Sequence, residues 1–382
     1  MFEDMGFTYM GPVDGHNVKL LTRLLRYAKD EVSTPVLLHV RTVKGKGYPP
    51  AEAAPDKFHG VGPFEPATGA PKTPSKPGYS TVFGETMCRL ALEESGLCAI
   101  TAAMQAGTGL DRFARMYPER FFDVGIAEGH GVAMAAGMAK QGAKPVFAVY
   151  SSFLQRGYDM LLHDVAISGL PVIFGVDRAG LVGEDGETHH GIFDVGYLAT
   201  VPGMTVLAPA CFHELEDMLT WAVKHAAGPV AVRYPRGGEG TYRGGYDGAE
   251  WVTLRQGKDL TMVTYGATVD AVLTAAEMLE REKISATVVK LNNLTPTDWS
   301  GLCGLVGQNG RLLAAEECVL TGSVGQRLAA QLAMHGVLPR SVTLCNTGDR
   351  FITQGSVREL RKLCGLDADS IAEAARRAVA RP

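Results

Sequence analysis

Residues 123–130, Asp-Val-Gly-Ile-Ala-Glu-Gly-His, set a lone glutamate, Glu128, where a short apolar strand gives way to a helix. A carboxylate in that place can hold or share a proton if its surroundings keep water away. Two later segments repeat the strand-end setting with other chemistry. Tyr150-Ser-Ser-Phe-Leu-Gln-Arg156 offers a phenol, a ring and a guanidinium. Asp177-Arg-Ala-Gly-Leu-Val-Gly-Glu-Asp-Gly-Glu-Thr-His189 offers Arg178, Asp185 and His189. Parallel sheets bind ligands at the carboxyl ends of their strands, and Glu128, Tyr150, Arg178 and Arg236 all follow predicted strands.

Each candidate also has a plain reading. An acid in the first turn of a helix, such as Glu128, often only balances the helix dipole. Asp123, earlier in its strand, is expected to be structural. Phe153 and Arg156 lie three residues apart on a predicted helix that Ser151 or Ser152 can cap, so they should share a face. That face could stack a heterocycle and pair with an anion, or be a core ring beside a surface cation. Arg156, Arg178 and Arg236 with the Tyr150 hydroxyl could clamp a phosphate, because forked guanidinium groups match phosphoryl oxygens. Taken singly, each arginine is a salt-bridge partner. His189 and His190 on an extended loop point opposite ways and have no third ligand at zinc-like spacing, so no metal site is expected. His189 reads better as a general acid/base. His59, in a proline-rich stretch, is the weaker candidate, since loop histidines are usually solvated. His16 is expected to fix a turn, and His39 and His163 to be core or surface residues.

The elements that must position these groups follow from patterning. In residues 1–48, Val18, Leu21, Leu24, Leu25 and Ala28 recur at helical spacing between two short strands, the second being Pro35-Val-Leu-Leu-His-Val40. One strand–helix–strand unit cannot cover both faces of a sheet, so this piece is expected to be the end of a larger domain. Residues 49–78, which hold eight of the 20 prolines, read as a linker. Strands and helices alternate through 79–236, the signature of a parallel sheet flanked by helices. The glycine-rich stretch opening 237–257 reads as a second linker, and a fresh α/β domain is expected over 258–382. The expected fold class is therefore α/β, two parallel-sheet domains preceded by the remnant of a third. The 382 residues carry a net charge of −4, with 46% hydrophobic and 20% charged residues, which gives no reason to expect nucleic acid or a membrane surface as partner. Seven scattered cysteines without a C-x-x-C pair, and an N-terminus without signal-peptide features, point to reduced thiols in the cytoplasm.

Several strings, in one order across nearly the whole chain, resemble the 1-deoxy-D-xylulose-5-phosphate synthase family of transketolase-like thiamine diphosphate enzymes. They are Gly11-Pro-Val-Asp-Gly-His16, Lys44-Gly-Lys-Gly-Tyr-Pro-Pro-Ala-Glu52 with Phe58-His59, Gly107-Thr-Gly-Leu110, Phe122-Asp-Val-Gly-Ile-Ala-Glu128, Tyr150 to Asp159, Asp177-Arg-Ala-Gly180 with Asp185-Gly-Glu-Thr-His189, Arg233-Tyr-Pro-Arg-Gly237, and Asp349-Arg-Phe-Ile352 with Gln354-Gly355. The resemblance implies joining of pyruvate to glyceraldehyde 3-phosphate with loss of carbon dioxide, a step toward isoprenoids and thiamine. It implies that Glu128 pairs with N1′ of the cofactor's aminopyrimidine and that Phe153 packs on that ring. It assigns Tyr150, Arg156, Arg178 and Arg236 to the aldehyde phosphate, and His59, Asp185 and His189 to proton transfer and hydroxyl binding around the reacting carbons.

One departure is large. The family's Gly-Asp-Gly…Asn motif, which holds Mg²⁺ and the diphosphate, has no counterpart among Asp14-Gly15, Asp185-Gly186 and Asp247-Gly248. The expectation is a part of the enzyme that is active only once a diphosphate-binding domain on another chain completes it, as a homodimer or hetero-oligomer. The alternatives are the C-terminal subunit of a split transketolase, the beta subunit of a 2-oxo-acid dehydrogenase, and an inactive remnant.

Overall fold

The computed structural model describes residues 1–55, 57–72 and 77–380. It divides into two units, Met1–Lys76 and Pro77–Pro382.

In the first unit, strands β1 (Thr8–Asp14) and β2 (Val36–Arg41) pair in parallel across helix Val18–Glu31. Asn17 caps that helix by accepting the Leu20 N–H at 3.0 Å. No residue of these three elements is buried, and Val18 and Leu25 stand 69% and 54% exposed, so the unit keeps apolar surface uncovered. The stretch expected to be a linker has some order. It contains a short helix, Pro49–Ala53, and a cluster in which the rings of Tyr48, Phe58 and Phe64 meet.

The second unit holds two sheets. Strands β3 (Leu97–Thr101), β4 (Phe121–Asp123), β5 (Lys144–Tyr150), β6 (Ile173–Asp177), β7 (Thr205–Leu207) and β8 (Val230–Arg233) belong to the first; β9 (Trp251–Arg255), β10 (Leu260–Thr264), β11 (Ala286–Leu291), β13 (Arg311–Ala315) and β14 (Ser341–Cys345) to the second. A further strand, β12 (Asn293–Thr295), crosses back and pairs antiparallel with β7, giving the orders β12-β7-β8-β6-β5-β3-β4 and β14-β13-β10-β11-β9. All other pairings are parallel except the β9 edge of the second sheet. Strand β9 falls in residues expected to be linker. Its alternation is carried by Trp251, Val252 and Leu254 and is hard to see behind six preceding glycines.

Strands β5 and β6 are apolar on both faces because helices cover both sides of the sheet. Glycines set how closely those helices approach. A Cβ on Gly131 would come within 2.8 Å of the Phe147 ring, and one on Gly175 within 2.6 Å of Phe83. In a helix, glycine costs about 1 kcal/mol against alanine; here it buys close helix-to-sheet contact beneath Glu128. The two sheets are joined by a polar pair as well as apolar packing. Lys290 on β11 and Glu214 of the first sheet's domain, both fully buried, pair at 2.5 Å; within the first sheet's domain Arg233 grips Asp194 through two bonds of 2.9 and 3.1 Å.

Candidate active site

Neighbouring strands β8, β6, β5, β3 and β4 deliver their following residues to one edge of the sheet, as parallel topology requires. Tyr150 ends β5. Its ring stacks on Phe153 with centroids 5.5 Å apart, and the Arg178 guanidinium lies over the Tyr150 ring at 3.7 Å from its centroid. Phe153 in turn meets the His189 ring edge-on at 5.2 Å. Arg236 pairs with Asp185 at 2.6 Å and also donates to the Val182 carbonyl. Tyr150, Phe153, Arg178 and His189 thus form one connected group, and Arg236 with Asp185 a neighbouring pair whose charges act on Tyr150 and His189.

Arg178 is held from three sides. It donates to the Gly107 carbonyl at 2.9 Å, stacks on Tyr150, and faces Asp177 Oδ1 at 3.3 Å. Its backbone is left-handed, φ +61°, a conformation that non-glycine residues adopt at some cost. Asp177 is fully buried, and its other oxygen accepts the Ser80 hydroxyl at 2.7 Å. Burial pushes the Asp177 carboxyl up to about 6, against the opposing pull of Arg178 and Ser80. The hydroxyl of Tyr150 fills the space where Gly107 would carry a side chain, so a Cβ there would overlap it. Gly107, Ser80 and Asp177 were not singled out from sequence. The Gly107-Thr-Gly string and the acid directly before Arg178 are the only marks they leave.

Electrostatics at the group reflect its partial burial. Desolvation raises the Tyr150 phenol, with Arg178 pulling it down. Desolvation lowers the His189 imidazole, with Asp185 opposing and Arg178, Arg236 and His190 adding to the effect. The two histidines differ sharply. His189 Nδ1 meets Thr188 Oγ1 at 2.8 Å on the accessible side. His190 is buried, accepting the Val182 N–H at 3.1 Å and facing the Thr353 carbonyl at 3.3 Å, and serves as a brace. Among the described residues no group of three or more His, Cys, Asp or Glu is arranged to hold a metal.

Glu128 starts helix Glu128–Lys140 and is only 4% exposed. Among the described residues its carboxylate accepts no hydrogen bond; Arg156 approaches it at 3.8 Å from a side chain that is 69% exposed. Arg156 therefore stands with Glu128, and no contact joins it to Arg178 or Arg236 among the described residues. The helix expected for Phe153 and Arg156 is irregular, and the two side chains have different neighbours: Phe153 meets Tyr150 and His189, and Arg156 meets Glu128. Helix Ser151–Leu154 is one turn long and passes into a 3₁₀ turn at Gln155–Gly157, and Tyr150 rather than a serine occupies its cap. The Ser151 and Ser152 hydroxyls are buried without a partner. Asp123 is structural, accepting the N–H groups of Ala103 and Gly125.

His59 belongs to the first unit, on an exposed bend. In that unit His16 fixes a turn: its Nε2 accepts the Val43 N–H at 2.8 Å.

Two α/β domains in this order, the first carrying its polar groups along one sheet edge, define a transketolase-type protein. Residues 75–238 match the family described as "Transketolase, pyrimidine binding domain", residues 249–371 "Transketolase, C-terminal domain", and residues 1–42 "1-deoxy-D-xylulose-5-phosphate synthase". Among curated relatives, the 1-deoxy-D-xylulose-5-phosphate synthase of Desulforudis audaxviator is 46% identical over 98% of this chain, and that of Clostridium kluyveri 47% over 97%. The chain belongs to the 1-deoxy-D-xylulose-5-phosphate synthase family, and it spans 60% of the length of these two relatives. Among solved structures, "Split gene transketolase, inactive beta4 tetramer" superposes with a TM-score of 0.71 at 26% identity, covering 80% of this chain and 99% of that one. Transketolase from Pichia stipitis, at 18% identity and TM-score 0.66, shares the fold.

Proposed function

We propose that this chain is the C-terminal portion of a thiamine diphosphate-dependent 1-deoxy-D-xylulose-5-phosphate synthase, acting on pyruvate and glyceraldehyde 3-phosphate. One observation carries the reading: Glu128 is a buried carboxylate that accepts no hydrogen bond among the described residues, beside a ring-bearing segment and a cationic group. A carboxylate set into the fold without a protein donor suits a ligand that brings one. A pyrimidine ring nitrogen sharing one proton with the carboxyl is such a ligand group: protonated, it donates to the carboxylate, and unprotonated, it accepts from the carboxylic acid. Thiamine diphosphate, when bound, supplies the electron sink for decarboxylation and carbon–carbon bond formation.

The chain's own residues then divide the work. Glu128 holds a proton at the pyrimidine N1′, and Phe153 offers the ring against which the heterocycle packs. Arg178 and Arg236, with the Tyr150 hydroxyl, bind the aldehyde phosphate, and Arg156 joins them from the Glu128 side. Asp185 orients a substrate hydroxyl, and leaves its ion pair with Arg236 when the phosphate arrives. His189, kept neutral more readily by its partial burial, exchanges a proton with the reacting oxygens. By the family resemblance His59 is assigned a proton-transfer role. Mg²⁺ and the diphosphate are held by a domain outside these residues, and oligomerisation brings the halves together. All seven cysteines are free thiols, which suits a reducing compartment, the cytoplasm. No helix among the described residues is long and apolar enough to cross a membrane.

The experiment is calorimetric titration of thiamine diphosphate with Mg²⁺ into the chain, with and without the diphosphate-binding domain of a close relative. Heat that appears only with the added domain and falls away in Glu128→Ala supports the reading. No heat in either mixture would favour an inactive remnant. The structural likeness to a split-gene transketolase subunit supports a second reading, a transketolase half. Assaying pyruvate plus glyceraldehyde 3-phosphate against sugar-phosphate pairs separates the two.

A further inference from the structure

The loop that carries Asp185 and His189 is fastened along its length to the C-terminal domain. Leu181 donates its N–H to Glu317 Oε2 at 3.1 Å, and Glu317 Oε1 accepts from Arg361 Nε at 2.5 Å. Glu317 stands just beyond β13 and is 4% exposed. Gly180, at φ +85°, passes so near that a Cβ would overlap the Glu317 carboxylate. Farther along, a Cβ on Gly186 would come within 3.2 Å of Gln354, His190 reaches Thr353, and Val319 donates to the Ile192 carbonyl at 3.0 Å. Leu181, Ile192, Val319, Ile352 and Leu360 close over these bonds as a small apolar core of their own.

We propose that Glu317, braced by Arg361, is a positioning residue that sets the path of residues 181–190 and so the place of Asp185 and His189. The C-terminal domain, which contributes none of the groups assigned above, is by this account the jig for the acid/base loop. A charged acceptor is needed because it serves two donors at once from a buried position, and charge-assisted bonds are stronger and more directional than neutral ones. Without it the Leu181 N–H would be buried unpaired. The functional meaning rests on the reading of Asp185 and His189 as site residues; the positioning does not.

The test uses the 382-residue chain itself, so that no turnover is required. The His189 titration is followed by imidazole carbon NMR, assigned with His189→Gln, and amide hydrogen exchange is followed over residues 181–190. In wild type partial burial holds the His189 imidazole below its ordinary value, with Asp185 opposing and Arg178, Arg236 and His190 adding. In Glu317→Ala it should rise toward the free imidazole value, and exchange over 181–190 should quicken about tenfold or more while β10 and β13 stay protected. Glu317→Gln, which keeps an acceptor for Leu181 but loses the charge and the second acceptor that Arg361 uses, should fall between wild type and Glu317→Ala in both. Glu282→Ala, which removes an exposed pair with Arg376 in the same domain, should change neither. Should Glu317→Ala fail to fold, Arg361→Ala carries the same comparison. Wild-type His189 titration and wild-type exchange in either variant would overturn the proposal. A loosened loop in a protein that never binds thiamine diphosphate would instead sink the functional reading and leave the positioning intact.

Discussion

Glu128 and Asp177 are buried carboxylates on one edge of one sheet, and their surroundings treat them in opposite ways. Asp177 is enclosed by its own chain: Ser80 donates to Oδ2, while Oδ1 makes no hydrogen bond but is ion-paired at 3.3 Å with Arg178, which is itself tied to Gly107 and stacked on Tyr150. Glu128 is left with a distant, largely exposed arginine and no hydrogen bond among the described residues. The difference separates structure from chemistry. A carboxylate whose partners are all supplied by the fold holds something in place, here the arginine of the anion clamp. One that is buried and left unserved is available to a ligand.

The largest effect that would sharpen this contrast is Glu128→Ala. With the diphosphate-binding domain present, it should reduce turnover by about a thousandfold, the range for losing a positioned proton-transfer group. Phosphate affinity and thermal stability should hardly move, which activity assays and inorganic phosphate titration would read. Asp177 should behave in the reverse manner, as a stability group. Its folded value of about 6 lies above the ordinary 3.8, so the folded protein binds the extra proton between those values. Relative stability from this group is therefore fully present below pH ~4 and is lost as pH rises through ~6, a total of about 3 kcal/mol. Denaturant unfolding between pH 4 and 7 should show that downward slope flattened in Asp177→Asn.

Gly107→Ala comes next. Its Cβ would displace the Tyr150 hydroxyl, with an expected cost of about 1–3 kcal/mol in stability and weaker phosphate binding, while cofactor titration at Glu128 stays as in wild type. Arg236→Ala should be the smallest. Its guanidinium is 40% exposed and already shared with Asp185, so about tenfold in phosphate affinity is expected. A larger loss on Arg156→Ala than on Arg236→Ala would break the comparison, because it would move the anion clamp to the Glu128 side.

How much of this was legible in the sequence follows a physical pattern. The strands around the site were readable because β5 and β6 are continuous apolar runs ended by glycine, serine or aspartate. The residues at their ends were readable because strand ends are where a parallel sheet exposes side chains. Three things were not. The grouping of Phe153 with Arg156 assumed a regular helix, whereas the chain passes from an α turn into a 3₁₀ turn between them, and Phe153 meets Tyr150 and His189 while Arg156 meets Glu128. The roles of Ser80 and Asp177 depend on a contact across 97 positions of sequence, which no local pattern records. Strand β12 is three residues long and joins a sheet belonging to the preceding domain, so its partner could not be read from its neighbours.

The account stands most directly on one assay: release of carbon dioxide and formation of 1-deoxyxylulose 5-phosphate from pyruvate and glyceraldehyde 3-phosphate. It is run with this chain, thiamine diphosphate, Mg²⁺ and a relative's diphosphate-binding domain, in wild type and in Glu128→Ala of equal thermal stability. Product from wild type and none above background from the variant is the predicted result. Equal product from both would contradict it, because the buried carboxylate would then have no part in the reaction.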